Sequence, residues 1–187
     1  MDWEGILRAV IDDLREHAAV VDMGNVDEAT VRSFLIRRIK SVCPIASCQT
    51  EWNRFDLFVA WPGHTGPGAT TRRALIELKF FIFRRHFDAD GTARQWKGGA
   101  GTQNRREFDE CVRKLHAYRL DPQIEDRLLV LVYERRERGL RAKTFEAEYA
   151  GLQAGDLNGA VFTVSVPTKT DDLACVLLRI TPPERTA

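Results

Sequence analysis

The sequence has no run of about 18 apolar residues, which excludes a membrane-spanning helix on pattern. The opening MDWEGILRAVIDDLREH carries acids where a secretory leader needs bases, so the expected location is the cytoplasm. Cysteine is sparse: of Cys43, Cys48, Cys111 and Cys175 only the first two are close, and no histidines accompany them at zinc-finger spacing. Reduced, mostly buried thiols are expected. His64, His86 and His116 are scattered and no nucleophile motif accompanies them, which argues against a hydrolytic triad or a zincin site. The GGAG run at 98–101 does not follow a strand directly and lacks a terminal Lys-Ser/Thr, so it is not a phosphate-cradling loop. Internal repeats and low-complexity tracts are also missing.

Net charge is small too, at +1, unlike a protein that coats nucleic acid. The charge is unevenly spread. Residues 71–120 hold twelve Lys/Arg against six Asp/Glu, a local +6, while the segments on either side are acidic. Arginine accounts for 22 of the 28 basic residues, and its planar fork suits phosphate oxygens; a genome-wide preference for arginine codons explains the excess equally well.

A hydrophobic share of 44% over 187 residues is that of a chain able to bury its own core, and one α/β domain over residues 1–187 is expected. Trp3, Ile6, Leu7, Val10, Ile11, Leu14 and Ala18 form the stripe of an amphipathic helix over 3–19. A second helix, ATVRSFLIRRIKSV, follows alternative N-caps Asn25 and Asp27, buries Val31, Phe34, Leu35 and Ile39, and closes before Pro44. Residues 45–52 look extended, Asn53-Arg54 reads as a tight turn, and FDLFVAW reads as a strand. WPGHTGPGATTRR breaks regular structure, and 74–83 reads as a central strand. The pattern then predicts a loop over 86–102, a helix over 103–120, and a buried strand over 126–133. A short helix over 144–153 and closing strands at 161–166 and 173–180 complete the reading.

Two residues break the apolar pattern of the central strand. Glu77 and Lys79, at i and i+2, share one face, while Ile76, Leu78 and Phe80 take the other. Burying such a pair costs several kcal/mol per ion unless it is well compensated, so a core strand that keeps it implies a role. A solvated edge-strand ion pair is the plain alternative. A hairpin through the Pro/Gly loop sets Asp56 across from this face, so two carboxylates converge. Paired carboxylates with substrate oxygens suit a hard divalent cation, Mg²⁺ above all.

RFDLFV, a loop, then ALIELKF resembles the D…(D/E)-x-K signature of the PD-(D/E)XK nucleases, with Phe55 where the family name has proline. NVDEATVRSFLIRRI resembles the opening helix of that superfamily, with Glu28 near its start, and GTQNRREFDECVRKLHAY resembles the helix after the active-site strand, with Gln103 as a polar contributor. The resemblance covers roughly residues 25–134 of the superfamily's core and implies a restriction-endonuclease-like fold, a mixed central sheet flanked by helices. It further implies a Mg²⁺-dependent phosphodiester hydrolase, with Mn²⁺ as the substitute ion, acting on DNA rather than RNA. Asp56 and Glu77 are the expected metal ligands, Lys79 orients the attacking water, and Glu28 is an outer-sphere ligand. Arg84, Arg85, Arg105 and Arg106 are the expected contacts to the nucleic-acid backbone. Two other expectations stand beside this one. The first is a catalytically silent nuclease-fold module that binds nucleic acid or a protein. The second is a subunit of a defence or repair assembly whose partner supplies target recognition; a homodimer is compatible with either.

Overall fold

The computed structural model describes residues 1–21, 26–63, 70–81, 84–87, 93–97, 102–118, 120–121, 123–135, 161–167 and 172–180. Helices α1 (Trp3–Ala18) and α2 (Glu28–Val42) come first. Strands β1 (Ser47–Trp52), β2 (Phe55–Pro62) and β3 (Thr71–Phe81) follow. Next come the short strands β4 (Arg84–Phe87) and β5 (Ala93–Lys97), helix α3 (Thr102–Ala117), and strands β6 (Ile124–Arg135), β7 (Val161–Pro167) and β8 (Asp172–Arg179). Six strands form one sheet in the order β1-β2-β3-β6-β8-β7, and β4-β5 make a separate antiparallel pair. The large sheet is mixed. β3 runs antiparallel to β2 and parallel to β6, and the pairs β1-β2, β6-β8 and β7-β8 are antiparallel.

Alternation along the strands divides the core in two. Ala74, Ile76, Leu78 and Phe80 of β3, with Leu128, Val130 and Val132 of β6, pack against the buried stripe of α1 and against Val31, Leu35 and Ile39 of α2. Leu75 of β3, with Leu129 and Leu131 of β6, packs against Phe108, Cys111 and Leu115 of α3. The architecture is therefore α/β: a mixed sheet between two helical layers. Among the described residues no helix is long and apolar enough to cross a membrane.

Local chemistry explains the element boundaries. Of the two candidate N-caps for α2, Asp27 fills the role: its backbone is extended and its carboxylate accepts from Thr30 N at 2.8 Å. Asn25 lies outside the described residues. Trp52 pairs with Phe55, so Asn53 and Arg54 make a two-residue hairpin loop, both at positive φ (49° and 71°), the pattern of a type I′ turn. α1 is bound to α2 by Asp13, only 3% exposed, which meets Arg37 at 2.6 Å and Arg38 at 2.8 and 2.5 Å. At the sheet's centre, Asp126 of β6 accepts from Trp3 Nε1 at 2.8 Å and faces Arg179 of β8 at 3.7 Å.

Two boundaries depart from the sequence reading. β3 begins at Thr71 rather than 74, because Arg72 and Arg73 are held in the ladder and their charges are met by Glu125 (2.6 Å) and Asp121 (2.5 Å). The stretch read as a loop over 86–102 carries most of the antiparallel β4-β5 pair, whose ladder runs from Arg84↔Lys97 to Phe87↔Ala93. The helix expected at 144–153 and the GGAG run lie outside the described residues. Residues after 134, which the superfamily resemblance leaves unmatched, supply β7 and β8 to the same sheet.

Candidate active site

The site forms where β2 and β3 part. Their ladder runs from Pro62↔Thr71 to Leu57↔Ile76 and stops, leaving the backbone donors of Leu78 and Phe80 without a strand partner on that side. Two carboxylates take the place of the missing strand. Asp56 Oδ2 accepts from Leu78 N at 2.7 Å, and Glu28 Oε1 accepts from Phe80 N at 3.3 Å. Glu28 can do so because it is the first residue of α2, whose capped end abuts the C-terminal half of β3. The same oxygen lies 3.4 Å from Lys79 Nζ.

Glu77 is the most deeply placed of the acids, 3% exposed. Its Oε1 is ion-paired with the Lys114 ammonium of α3, and its Oε2 lies 3.6 Å from the Cys111 thiol. Burial pushes the Glu77 carboxyl up to about 7; Lys114 works against the rise, while the charge of Asp56 and a hydrogen bond shared with Asp56 add to it. Asp56 and Glu77 are thus near neighbours in the cluster. Burial also raises Glu28, opposed by Lys79 and reinforced by Asp56. For Lys79 burial acts downward, but Glu28, Cys111 and Asp56 outweigh it, so the group is held as an ammonium. Cys111 is pushed up to about 12, first by burial and then by Glu77, and so acts as a neutral thiol donor. Arg32, one turn along α2 from Glu28, is ion-paired with Glu51 and lies 3.9 Å from Asp56 Oδ1.

Asp56, Glu77, Lys79 and Glu28, all named from the sequence, therefore come together. Arg106 is exposed on α3. Arg84 and Arg85 lie on β4 and Gln103 and Arg105 in the first turns of α3, but their side chains lie outside what is described. Lys114, Cys111 and Arg32 belong to the cluster without having been singled out as parts of a site. The signal for Lys114 was its place three residues after Cys111, beside the apolar stripe of α3; for Arg32 it was the i+4 spacing from Glu28. Cys43 and Cys48 are free and half-buried.

Among the described residues no group of three or more His, Cys, Asp and Glu side chains is arranged to hold a metal ion. What the cluster offers is a pair of hard oxygen donors, Asp56 and Glu77. Two carboxylates completed by water and substrate oxygens suit Mg²⁺, which dehydrates reluctantly, and a soft-ligand metal is disfavoured by the neutral Cys111. Comparison of the chain with protein-family models, with curated proteins and with solved structures finds no match.

Proposed function

We propose that this chain is a Mg²⁺-dependent phosphodiester hydrolase of PD-(D/E)XK type, acting on nucleic acid in the cytoplasm, with DNA as the preferred substrate. The observation that supports it is the meeting of Asp56, Glu77 and Lys79 at the point where β2 leaves β3, with Glu77 buried and Asp56 anchored on the backbone N–H of Leu78. A buried carboxylate beside a half-buried one is unfavourable without positive charge nearby. Asp56 and Glu77 would hold the ion, and Mn²⁺ would serve in its place. When bound, it supplies Lewis acidity toward the phosphoryl oxygen and makes a water molecule a nucleophile at neutral pH.

The chain's own residues do the rest. Lys79 presents an ammonium, fixed by Glu28, as donor to the attacking water or to the phosphoryl oxygens on which negative charge develops. Glu28 is a positioning residue that acts through Lys79. Arg106, with Arg84, Arg85 and Arg105, supplies positive charge for the phosphate backbone. Target choice falls to a protein partner or to a second copy of the chain.

A second reading, a catalytically silent nuclease-fold module, draws on one observation. The acids Glu28, Asp56 and Glu77 are each near a base, Lys79, Arg32 (shared with Glu51) and Lys114 respectively, so each has a positive neighbour without an ion. Incubating the protein with plasmid, linear duplex, single-stranded DNA and RNA, with and without Mg²⁺ or Mn²⁺, separates the two. Metal-dependent cleavage lost in Asp56→Asn and Lys79→Ala is the expected result. Equal cleavage by all three proteins, or none by any, removes the hydrolase.

A further inference from the structure

α3 carries a second ammonium into the site, and the helix is fixed from both ends of its buried face. Phe108, Cys111 and Leu115 pack on the sheet, and the buried Arg127 of β6 donates to Leu115 O at 3.0 Å and His116 O at 3.1 Å, holding the last turn. Lys114 is therefore delivered beside Glu77. Its ammonium meets Glu77 Oε1 and the carbonyl of Arg54, and lies 4.5 Å from the centre of the Phe55 ring. The side chain is 34% exposed, against 4% for Glu77, so the stem has an open route away from the acid. Lys79 stands differently: its ammonium is held on Glu28, and its side chain is 16% exposed.

We infer that Lys114 is a built-in competitor for the divalent cation: its ammonium stands beside Glu77 in the free protein and withdraws toward solvent when an ion is held by Asp56 and Glu77. The inference rests on reading that pair as the cation site. Glu77 is buried, and the Lys114 ammonium on its Oε1 is the positive charge that offsets an ionised carboxylate there in the absence of an ion. An ammonium and a divalent cation on the same carboxylate repel strongly in a site of low dielectric. The flexible stem of lysine allows the ammonium to leave without moving the helix, which Arg127 secures independently. Cation affinity is thereby set by a residue that is not a ligand, and Lys114 is a positioning residue for Glu77.

The test is Mn²⁺ binding, read by calorimetry and by the paramagnetic resonance signal of free Mn²⁺, at one pH and ionic strength. The proteins are the full chain and its Lys114→Met, Lys114→Gln, Lys114→Arg and Asp56→Asn variants, each checked for folding by thermal melting. Lys114→Met and Lys114→Gln are expected to bind Mn²⁺ about tenfold more tightly than the parent, an order-of-magnitude expectation for removing one nearby charge. Lys114→Arg restores the weaker binding, which a purely structural role of the side chain would not require. Binding that is unchanged or weaker in the folded Met and Gln variants, while Asp56→Asn abolishes it, overturns this inference alone. Absence of Mn²⁺ binding in the parent and in every Lys114 variant overturns it together with the hydrolase.

Discussion

The Asp56 carboxylate accepts a hydrogen bond from the backbone N–H of Leu78 at 2.7 Å. An acid of the site thus also satisfies the strand donor that β2 leaves behind when it departs from β3. Chemistry and strand termination are joined in one side chain, and substitutions can part them.

Asp56→Asn keeps an acceptor oxygen for Leu78 N but loses the charge, whereas Asp56→Ala loses both. Asn is expected to fold with a denaturation midpoint near the parent's and to lose metal-dependent cleavage by about a hundredfold or more, the scale of removing a charge-stabilising group from an active site. Ala is expected to lose that activity and, in addition, about 1–3 kcal/mol of stability, from a buried donor left unsatisfied. Urea unfolding alongside a plasmid-cleavage assay reads both effects.

Glu77 makes stability depend on pH in a defined direction. Its carboxyl is raised in the folded protein to about 7 from 4.5, so the folded state binds the proton more tightly than the unfolded chain. The favourable contribution is complete below pH 4.5 and is lost as pH rises toward 7, amounting to about 3 kcal/mol on linkage arithmetic. Glu77→Gln is expected to flatten the stability profile between these pH values and to be more stable than the parent at pH 8. A series of urea midpoints from pH 4 to 8 checks this, and a Gln variant that tracks the parent throughout contradicts it.

Arg127 is 6% exposed and donates to the last turn of α3. Arg127→Met keeps most of the volume but leaves the Leu115 and His116 carbonyls without that donor, and a loss of roughly 1.5–3 kcal/mol is expected for charged hydrogen bonds of this kind. The loss is read from the chemical denaturation midpoint.

Arg54 stands at φ 71°, a conformation that L side chains resist and glycine accepts. Arg54→Gly creates the Asn-Gly pair that type I′ turns prefer, and is expected to stabilise the protein by up to about 1 kcal/mol. Because the Lys114 ammonium is bonded to the carbonyl of this residue, which glycine retains, site chemistry is expected to be unaltered. Thermal melting and cleavage rates measured together test both halves of the expectation.

The cluster's strand half was readable because period-two alternation is local. Once Glu77 and Lys79 fall on one face and β2 runs antiparallel beside β3, the approach of Asp56 follows from register. The helices α1 and α2 were equally plain, since their apolar stripes repeat over several turns. Glu28 was named from the superfamily resemblance alone, and its contact with Lys79 depends on how α2 docks. Lys114 and Arg32 were hidden for the same reason: a basic residue at the margin of a helical stripe looks solvated until the helix is set against a particular strand. The β4-β5 strands escaped notice because ARQWK and RRHF carry too little apolar alternation to stand out from a polar loop.

Asp126 holds Trp3 of the first helix and faces Arg179 at the end of the last strand. Early and late stretches of the polypeptide are thereby clasped at a single carboxylate, and unzipping either one disturbs the hold on its counterpart. Amide protons of α1 and β8 should accordingly exchange with deuterium in step, as parts of one cooperative unit, and Asp126→Ala should release both together.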